Sequence, residues 1–390
     1  MRPPDTADVI VVGAGPAGSA AAICSARIGL RVLLLDGNEP ALHPGETIHP
    51  GAESLFRELG ILDEVCASTN VRHEGHRVRW FAPERSQKFG ADWTGPWKGF
   101  QVRRDKLRGI LHARGRAIGV EYRQVWAREP LIAGKRIVGA RTNAGDIRSK
   151  YVIDASGRTH WLARTLGLAV HRTSPLLIAW YGWARSLHAK RFAEPLLIAD
   201  RYGWTWTAQI DGDLCAWTRV DLRGHIRRPD GPPRCLSDFE PCSKPRGADV
   251  TWRRVLQQGG PGFFLVGDAG AVLDPASANG IVRAMMSGMA AARRVQRIIV
   301  DGRKEEAETA EYIQWVVNWH KRDESRLAEL YLNGSRFLSK TQRQSWSQID
   351  MRTPRAVRAE NLDSAILVMK AAENRSRCDG TEPFNSTISG

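Results

Sequence analysis

Three features of the sequence predict an α/β chain. A β-branched run at Asp8-Val9-Ile10-Val11-Val12 ends in a glycine-rich turn and a helix-forming stretch; a second buried run, 262–266, ends in Gly267-Asp268; and between them residues 170–260 alternate apolar and polar with period two. Together they predict a Rossmann-like nucleotide-binding domain split in sequence, an interleaved β-sheet substrate domain and a C-terminal helical segment. The expected division is 1–70, 101–167 and 261–300 for the first, 71–100 and 168–260 for the second, and 301–390 for the third.

Composition sets the class. The chain has 390 residues, 42% of them hydrophobic and 25% charged, which excludes collagen-like and disordered chains. Lys and Arg number 57 against 42 Asp and Glu, a net charge of +15, so an acidic partner or nucleic acid has to be weighed. The basic residues come only as short clusters such as Arg103-Arg104, Arg227-Arg228 and Arg293-Arg294, with no zinc-finger or RNP pattern. They read as solvated surface; no nucleic-acid partner is expected, and an acidic polypeptide docking on the surface stays open. Six cysteines without a CxxC predict neither disulfides nor a metal site and suit a reducing cytoplasm. The first apolar run leads straight into a turn, and no apolar run reaches eighteen residues, so neither a signal peptide nor a membrane span is expected.

The first turn reads Gly13-Ala14-Gly15-Pro16-Ala17-Gly18. Gly13 permits the tight turn, Gly15 lets the main chain approach a pyrophosphate, and Gly18 lets the helix pack on the sheet while its N-terminus faces the anion. A second strand, Arg31-Val32-Leu33-Leu34-Leu35, ends in Asp36, where a carboxylate can accept a ribose hydroxyl. An acid there favours FAD or NAD over NADP, without choosing between the first two.

The choice comes from a resemblance. Gly267-Asp268-Ala269-Gly270, followed by Asp274-Pro275-Ala276-Ser277-Ala278-Asn279-Gly280-Ile281, resembles the second flavin motif of FAD-dependent monooxygenases of the para-hydroxybenzoate hydroxylase type. Tyr151-Val152-Ile153-Asp154-Ala155-Ser156-Gly157-Arg158 is similar to that superfamily's strand-terminal turn, and Val102-Arg103-Arg104 to its Val-x-Arg ahead of a helix. The resemblance implies a glutathione-reductase-type FAD-binding domain, with Asp268 at the ribityl or pyrophosphate region and the Pro275 to Gly280 loop, with Ile281, beside the isoalloxazine. It puts a flavin-contacting arginine at Arg104, with Arg103 the other possible register.

A narrower branch is suggested by Gly45-Glu46-Thr47-Ile48-His49-Pro50, which resembles the Gly-Glu-Ser-x-x-Pro segment of flavin-dependent tryptophan halogenases and their hydroxylase relatives and adds Gly45 and Glu46 to the cofactor site. Gly203-Trp204-Thr205-Trp206-Thr207-Ala208-Gln209-Ile210 is similar to their Gly-Trp-x-Trp-x-Ile strand, with Asp211 where a proline commonly follows. A halogenase of this type needs a lysine to capture hypohalous acid, placed roughly thirty residues past the Gly-Glu motif. The matching window, 71–80, holds none; the first lysine is Lys88, in Lys88-Phe89-Gly90-Ala91, about ten residues too far. Gly75-His76-Arg77-x-x-Trp80 instead resembles a stretch of the monooxygenases that mature tryptophylquinone enzymes.

The expectation is therefore an FAD-dependent monooxygenase hydroxylating an indole or tryptophan, free or borne by a peptide or protein, through a C4a-hydroperoxyflavin. Electrons would come from NAD(P)H or a separate flavin reductase, and oxygen from dioxygen. His49 and His76 are the candidates to touch the substrate. Among 14 tryptophans, Trp204 and Trp206 are the candidates for an aromatic pocket. The alternatives are a flavin-dependent halogenase using Lys88 and a non-oxygenating reductase of the geranylgeranyl reductase type. Residues 223–233 read as an exposed loop, 284–372 as helical, and 379–390 as a frayed end.

Overall fold

The computed structural model describes residues 5–37, 44–186, 194–200, 202–222 and 228–333. The expected frayed end, the helical pattern beyond 333 and residues 223–227 of the expected loop lie outside them.

The chain opens with strand β1 (Asp5–Val12), helix α1 (Pro16–Arg27) and strand β2 (Val32–Leu35). β1 lies inside a parallel core, flanked by β2 and by the strand Gly145–Asp154. This is why its residues are β-branched on both faces: Val9, Ile10 and Val11 are fully buried. The strand Glu121–Arg123 extends the sheet beyond β2. Besides β1, Gly145–Asp154 pairs with two further strands, antiparallel to Arg136–Thr142 along its first half and parallel to Phe263–Leu265 at its end. The nucleotide-binding domain is thus completed by a strand from far along the chain, as the split motifs imply.

Small residues let helices close on this sheet. A Cβ on Gly18 would stand 1.9 Å from the Gly13 carbonyl oxygen. Helix α1 also packs on α6 (Gly280–Ile299). The remaining helices are α2 (Glu53–Leu59), α3 (Leu62–Ser68), α4 (Arg104–Ala117), α5 (Trp161–Thr165) and α7 (Glu305–Asn333).

A second sheet runs in the order Phe239–Pro241, Ile178–Ser186, Leu214–Asp221, Gly203–Asp211, Leu196–Asp200, Gly75–Arg79, Arg85–Lys88. Its tryptophans divide between several clusters: Trp204 packs with Trp252 and Tyr331, Trp217 with Phe239, and Trp183 with Ile210. A small third sheet joins β3 (Gly45–Ile48) to Gly99–Arg103 and Val71–His73. Residues 71–73, expected with the substrate domain, therefore pair on the same strand as β3. β3 is only four residues long, too short to announce itself by periodicity.

Candidate functional site

The glycine turn has the shape an anion site needs. Gly13 sits at φ +102°, and a Cβ there would meet the Ala155 carbonyl oxygen at 2.4 Å. Gly15 has nothing within 4 Å of its Cβ direction, so its outer face is open. Pro16 opens α1, no side chain caps that helix, and its first turn holds no acid. Its N-terminal N–H groups and dipole are thus available to a pyrophosphate.

Helix α4 runs along this site with one face. Arg104, Arg108 and His112, four residues apart, share it. Arg104 pairs with Glu46, Arg108 with Asp36, and His112 Nε2 lies 3.1 Å from the Ala14 carbonyl oxygen. Of the two arginines that the sequence offers, Arg104 pairs with Glu46, while Arg103 pairs with Asp105 at 2.7 Å. Arg108 and His112 escaped the sequence reading, although their four-residue spacing from Arg104 could have marked them. Burial pushes the Glu46 carboxyl above its usual range, Arg104 offsets this, and the charge of Asp268 adds to it. Glu46, Arg104 and Asp268 are therefore close neighbours, drawn from three separate motifs. The Arg104 Nε is buried with no protein partner, as expected of a side chain that awaits a ligand.

Asp268 is exposed in a turn where Gly267 takes φ +59°, and a Cβ on Gly267 would stand 2.9 Å from the Ala17 Cβ. The second flavin motif thus abuts the first. A cleft beside it is bounded by Gly267, Asp268, Leu273, Gly280, Arg283 and Trp319. Pro275 and Gly280 are exposed around it, and Ile281 is buried. The third motif is architectural: the fully buried Asp154 accepts from the N–H groups of Ser156 and Leu162, each at 2.8 Å, and shapes the turn under Ala155.

A Cβ on Gly45 would meet Ile210 and Ala216 of the second sheet at 2.6 and 2.7 Å, so glycine there lets β3 approach that sheet. Trp204 lines no open pocket: it is 1% exposed and its indole N–H donates to the Tyr331 hydroxyl at 2.7 Å. Trp206 is partly buried and packs beside it.

His49 and His76 are brought together around Phe89, with ring centroids 4.8 and 5.9 Å from the phenyl, and His73 joins them at 5.2 Å. His76 Nε2 lies 2.9 Å from the Gln87 Oε1, and burial lowers the pKa of its ring. Among the described residues no group of three His, Cys, Asp or Glu side chains is disposed to hold a metal. Lys88 precedes Phe89, and the hairpin explains its apparent misplacement in sequence. The strands Gly75–Arg79 and Arg85–Lys88 fold back on each other so that Lys88 pairs with Gly75, returning the lysine to the 71–80 window. A Cβ on Gly75 would lie 2.1 Å from the Gln87 carbonyl oxygen, so the close register there needs glycine. The Lys88 Nζ is 2.6 Å from the Glu194 Oε1; the ammonium side is exposed, the carboxylate only 10% so. Glu194 raises the Lys88 pKa above its usual range.

The fold is an α/β, Rossmann-type FAD-binding fold with an interleaved β-sheet domain. The FAD binding domain family model matches residues 6–195. In sequence the chain is similar to halogenating flavoenzymes and to flavin-dependent reductases, and in fold also to a peptidyl tryptophan dihydroxylase. A 1H-pyrrole-2-carbonyl-(peptidyl-carrier protein) brominase of Pseudoalteromonas luteoviolacea (strain 2ta16) is 27% identical over 342 residues, 79% of this chain and 81% of that one. A tryptophan 2-halogenase of Chondromyces crocatus is 26% identical over 362 residues, 82% of this chain and 66% of the relative. A menaquinone reductase of Mycobacterium tuberculosis is 28% identical over 331 residues, 75% and 77% of the two chains. Among solved structures, the flavin-dependent brominase Bmp2 superimposes with a TM-score of 0.76 at 21% identity, covering 96% of this chain and all of that one. The peptidyl tryptophan dihydroxylase QhpG gives 0.71 at 19% identity, covering 91% and 82%. At these identities the two structures speak for the fold alone.

The hydroxylating reading is overturned by these relatives, of which the two halogenating enzymes align over about four-fifths of the chain. It rested on the absence of a lysine from the 71–80 window and on the Gly75-His76-Arg77-x-x-Trp80 stretch; the hairpin pairs Lys88 with Gly75 of that window. Among the described residues no helix is long and apolar enough to cross a membrane.

Proposed function

We propose that the chain is a flavin-dependent halogenase acting on an electron-rich aromatic ring of the pyrrole or indole class. The observation that carries this reading is the register of Lys88 against Gly75, with Lys88 paired to Glu194 and followed by Phe89 among three imidazoles. Bound FAD, reduced by NAD(P)H directly or through a separate flavin reductase, supplies with dioxygen the oxidising power that turns halide into an electrophile. Glu46, Arg104, Asp268 and the turn at Gly13 to Gly18 hold the cofactor.

Lys88 acts as an ammonium. Its hydrogen bond to Glu194 keeps the proton on Nζ, so it donates a hydrogen bond to hypohalous acid and polarises the halogen toward the ring, rather than attacking as a free amine. Phe89, anchored through its N–H to the Glu74 carbonyl oxygen at 2.9 Å, fixes the main chain beside the lysine. His76, whose ring burial keeps toward the neutral form, serves to accept the ring proton lost on substitution.

The test is turnover with FAD, a flavin reductase, NADH and bromide on pyrrole- and indole-bearing acceptors, read by mass spectrometry for the bromine isotope doublet. Brominated product that disappears in Lys88→Ala and Lys88→Met, both still binding FAD, is expected. Halide-independent product would sink the reading. A second reading, reduction of a quinone or isoprenoid double bond, is favoured by the menaquinone reductase among the relatives. It predicts anaerobic product formation that Lys88→Ala leaves unchanged.

A further inference from the structure

The turn from Pro275 to Gly280 is flanked by a buried carboxylate and a largely covered guanidinium, and both meet α7. On its N-terminal side, Asp274 is fully buried; its Oδ1 accepts from the Ala276 N–H at 2.8 Å. Its Oδ2 accepts from the Trp252 indole N–H at 2.5 Å and from the Tyr331 hydroxyl at 3.1 Å. The same hydroxyl accepts from Trp204 at 2.7 Å, so the network reaches into the second sheet. On the C-terminal side, Arg283 in the first turn of α6 contacts Asp323 at 2.9 Å, and its guanidinium lies 5.5 Å from the Trp319 ring centroid.

Trp319, Asp323, Leu327 and Tyr331 are successive fourth residues of α7, so a single helical stripe meets both flanks. The start of the helix is fixed too: Glu305 accepts from the Tyr151 hydroxyl at 2.6 Å and the Gly262 N–H at 2.9 Å, tying it to the central sheet. A fully buried carboxylate served by neutral donors, and a guanidinium with an unpartnered Nη2, are costly ways to pack a helix; apolar side chains would do so at less expense. The expense is concentrated at the two ends of one exposed turn.

We propose that α7 is a positioning brace for the flavin site: Tyr331 and Asp323 are positioning residues that fix Asp274 and Arg283, and through them the main chain of the Pro275 to Gly280 turn against the cofactor. This rests on the reading that the turn faces FAD. The Tyr331 hydroxyl, shared by Asp274 and Trp204, also makes the turn sensitive to the sheet that carries Trp204 and Trp206. The brace therefore acts on the cofactor without touching it.

The experiment uses the full-length holoprotein with Tyr331→Phe and Asp323→Asn, each nearly isosteric. FAD dissociation constant, midpoint potential of the bound flavin and melting temperature of the apoprotein are measured together. The brace predicts FAD binding about tenfold weaker in either variant, from loss of a hydrogen bond to a charged group in Tyr331→Phe and of the ion pair with Arg283 in Asp323→Asn, with a displaced midpoint potential. Wild-type affinity and potential with only a lowered melting temperature would make α7 a packing helix and overturn the proposal; should one variant fail to fold, the other reads the opposite flank. Gly280→Ala separates the underlying reading, because open space surrounds its Cβ direction. If Gly280→Ala leaves flavin affinity and potential unchanged, the turn does not face the cofactor and both ideas fall. If it shifts them while Tyr331→Phe and Asp323→Asn do not, the brace alone fails.

Discussion

Gly288 of α6 lies against Ala17 of α1 so closely that a Cβ would stand 2.1 Å from the Ala17 carbonyl oxygen. The obstacle is main chain of the helix that opens the nucleotide site, and it cannot swing aside as a side chain would. Gly288→Ala is expected to push the two helices apart at a cost of about 1–3 kcal/mol, only partly offset by the better helix propensity of alanine. Urea denaturation would show this as a lowered midpoint with an unchanged slope; an unchanged midpoint would mean that the interface yields without cost.

Gly13 and Gly15 separate fold from ligand. Gly13→Ala forces φ +102° on an alanine and drives its Cβ toward Ala155, so both apoprotein stability and FAD affinity should fall. The Cβ of Gly15→Val meets no protein atom within 4 Å, so the apoprotein should melt close to wild type while FAD titration shows weak binding. Wild-type FAD affinity in Gly15→Val would place the pyrophosphate elsewhere.

The Lys88–Glu194 pair predicts the shape of the pH profile. Glu194 raises the lysine pKa, so Glu194→Gln should let the ammonium titrate at lower pH. If the ammonium form is needed, the alkaline limb of halogenation activity moves toward neutrality in that variant. A limb that stays put would exclude protonated Lys88 from the rate.

Acid should unfold the protein through buried imidazoles. Burial lowers His73 to about 4, and burial with Arg254 and Arg283 lowers His320 to about 3; the two are 2% and 1% exposed. Each is neutral in the folded chain and readily protonated in the unfolded one, whose histidines titrate near 6.5. Protonation therefore favours the unfolded state: stability is full above about pH 6.5, falls as pH drops through the window, and levels off below the folded pKa. For His73 the loss is on the order of 3 kcal/mol. Denaturation at pH 7, 6 and 5 checks it, and a His73→Gln variant should show a shallower fall; equal slopes would clear His73 of the effect.

The sequence by itself determined the cofactor domain. Gly13, Gly15, Gly18, Asp36 and Asp268 are legible because turn geometry and anion approach admit few residue types, and those requirements are local in the chain. It also offered Glu46 and either Arg103 or Arg104, and the fold pairs Glu46 with Arg104. Tertiary structure decided everything that depends on long-range pairing. Lys88 looked too distant until a hairpin register set it beside Gly75; Trp204 looked like a pocket wall until Tyr331, from a helix 127 residues away, took its indole N–H. The grip of α7 on Asp274 and Arg283 has no local signature, because a buried hydrogen bond between distant segments leaves no periodicity in either.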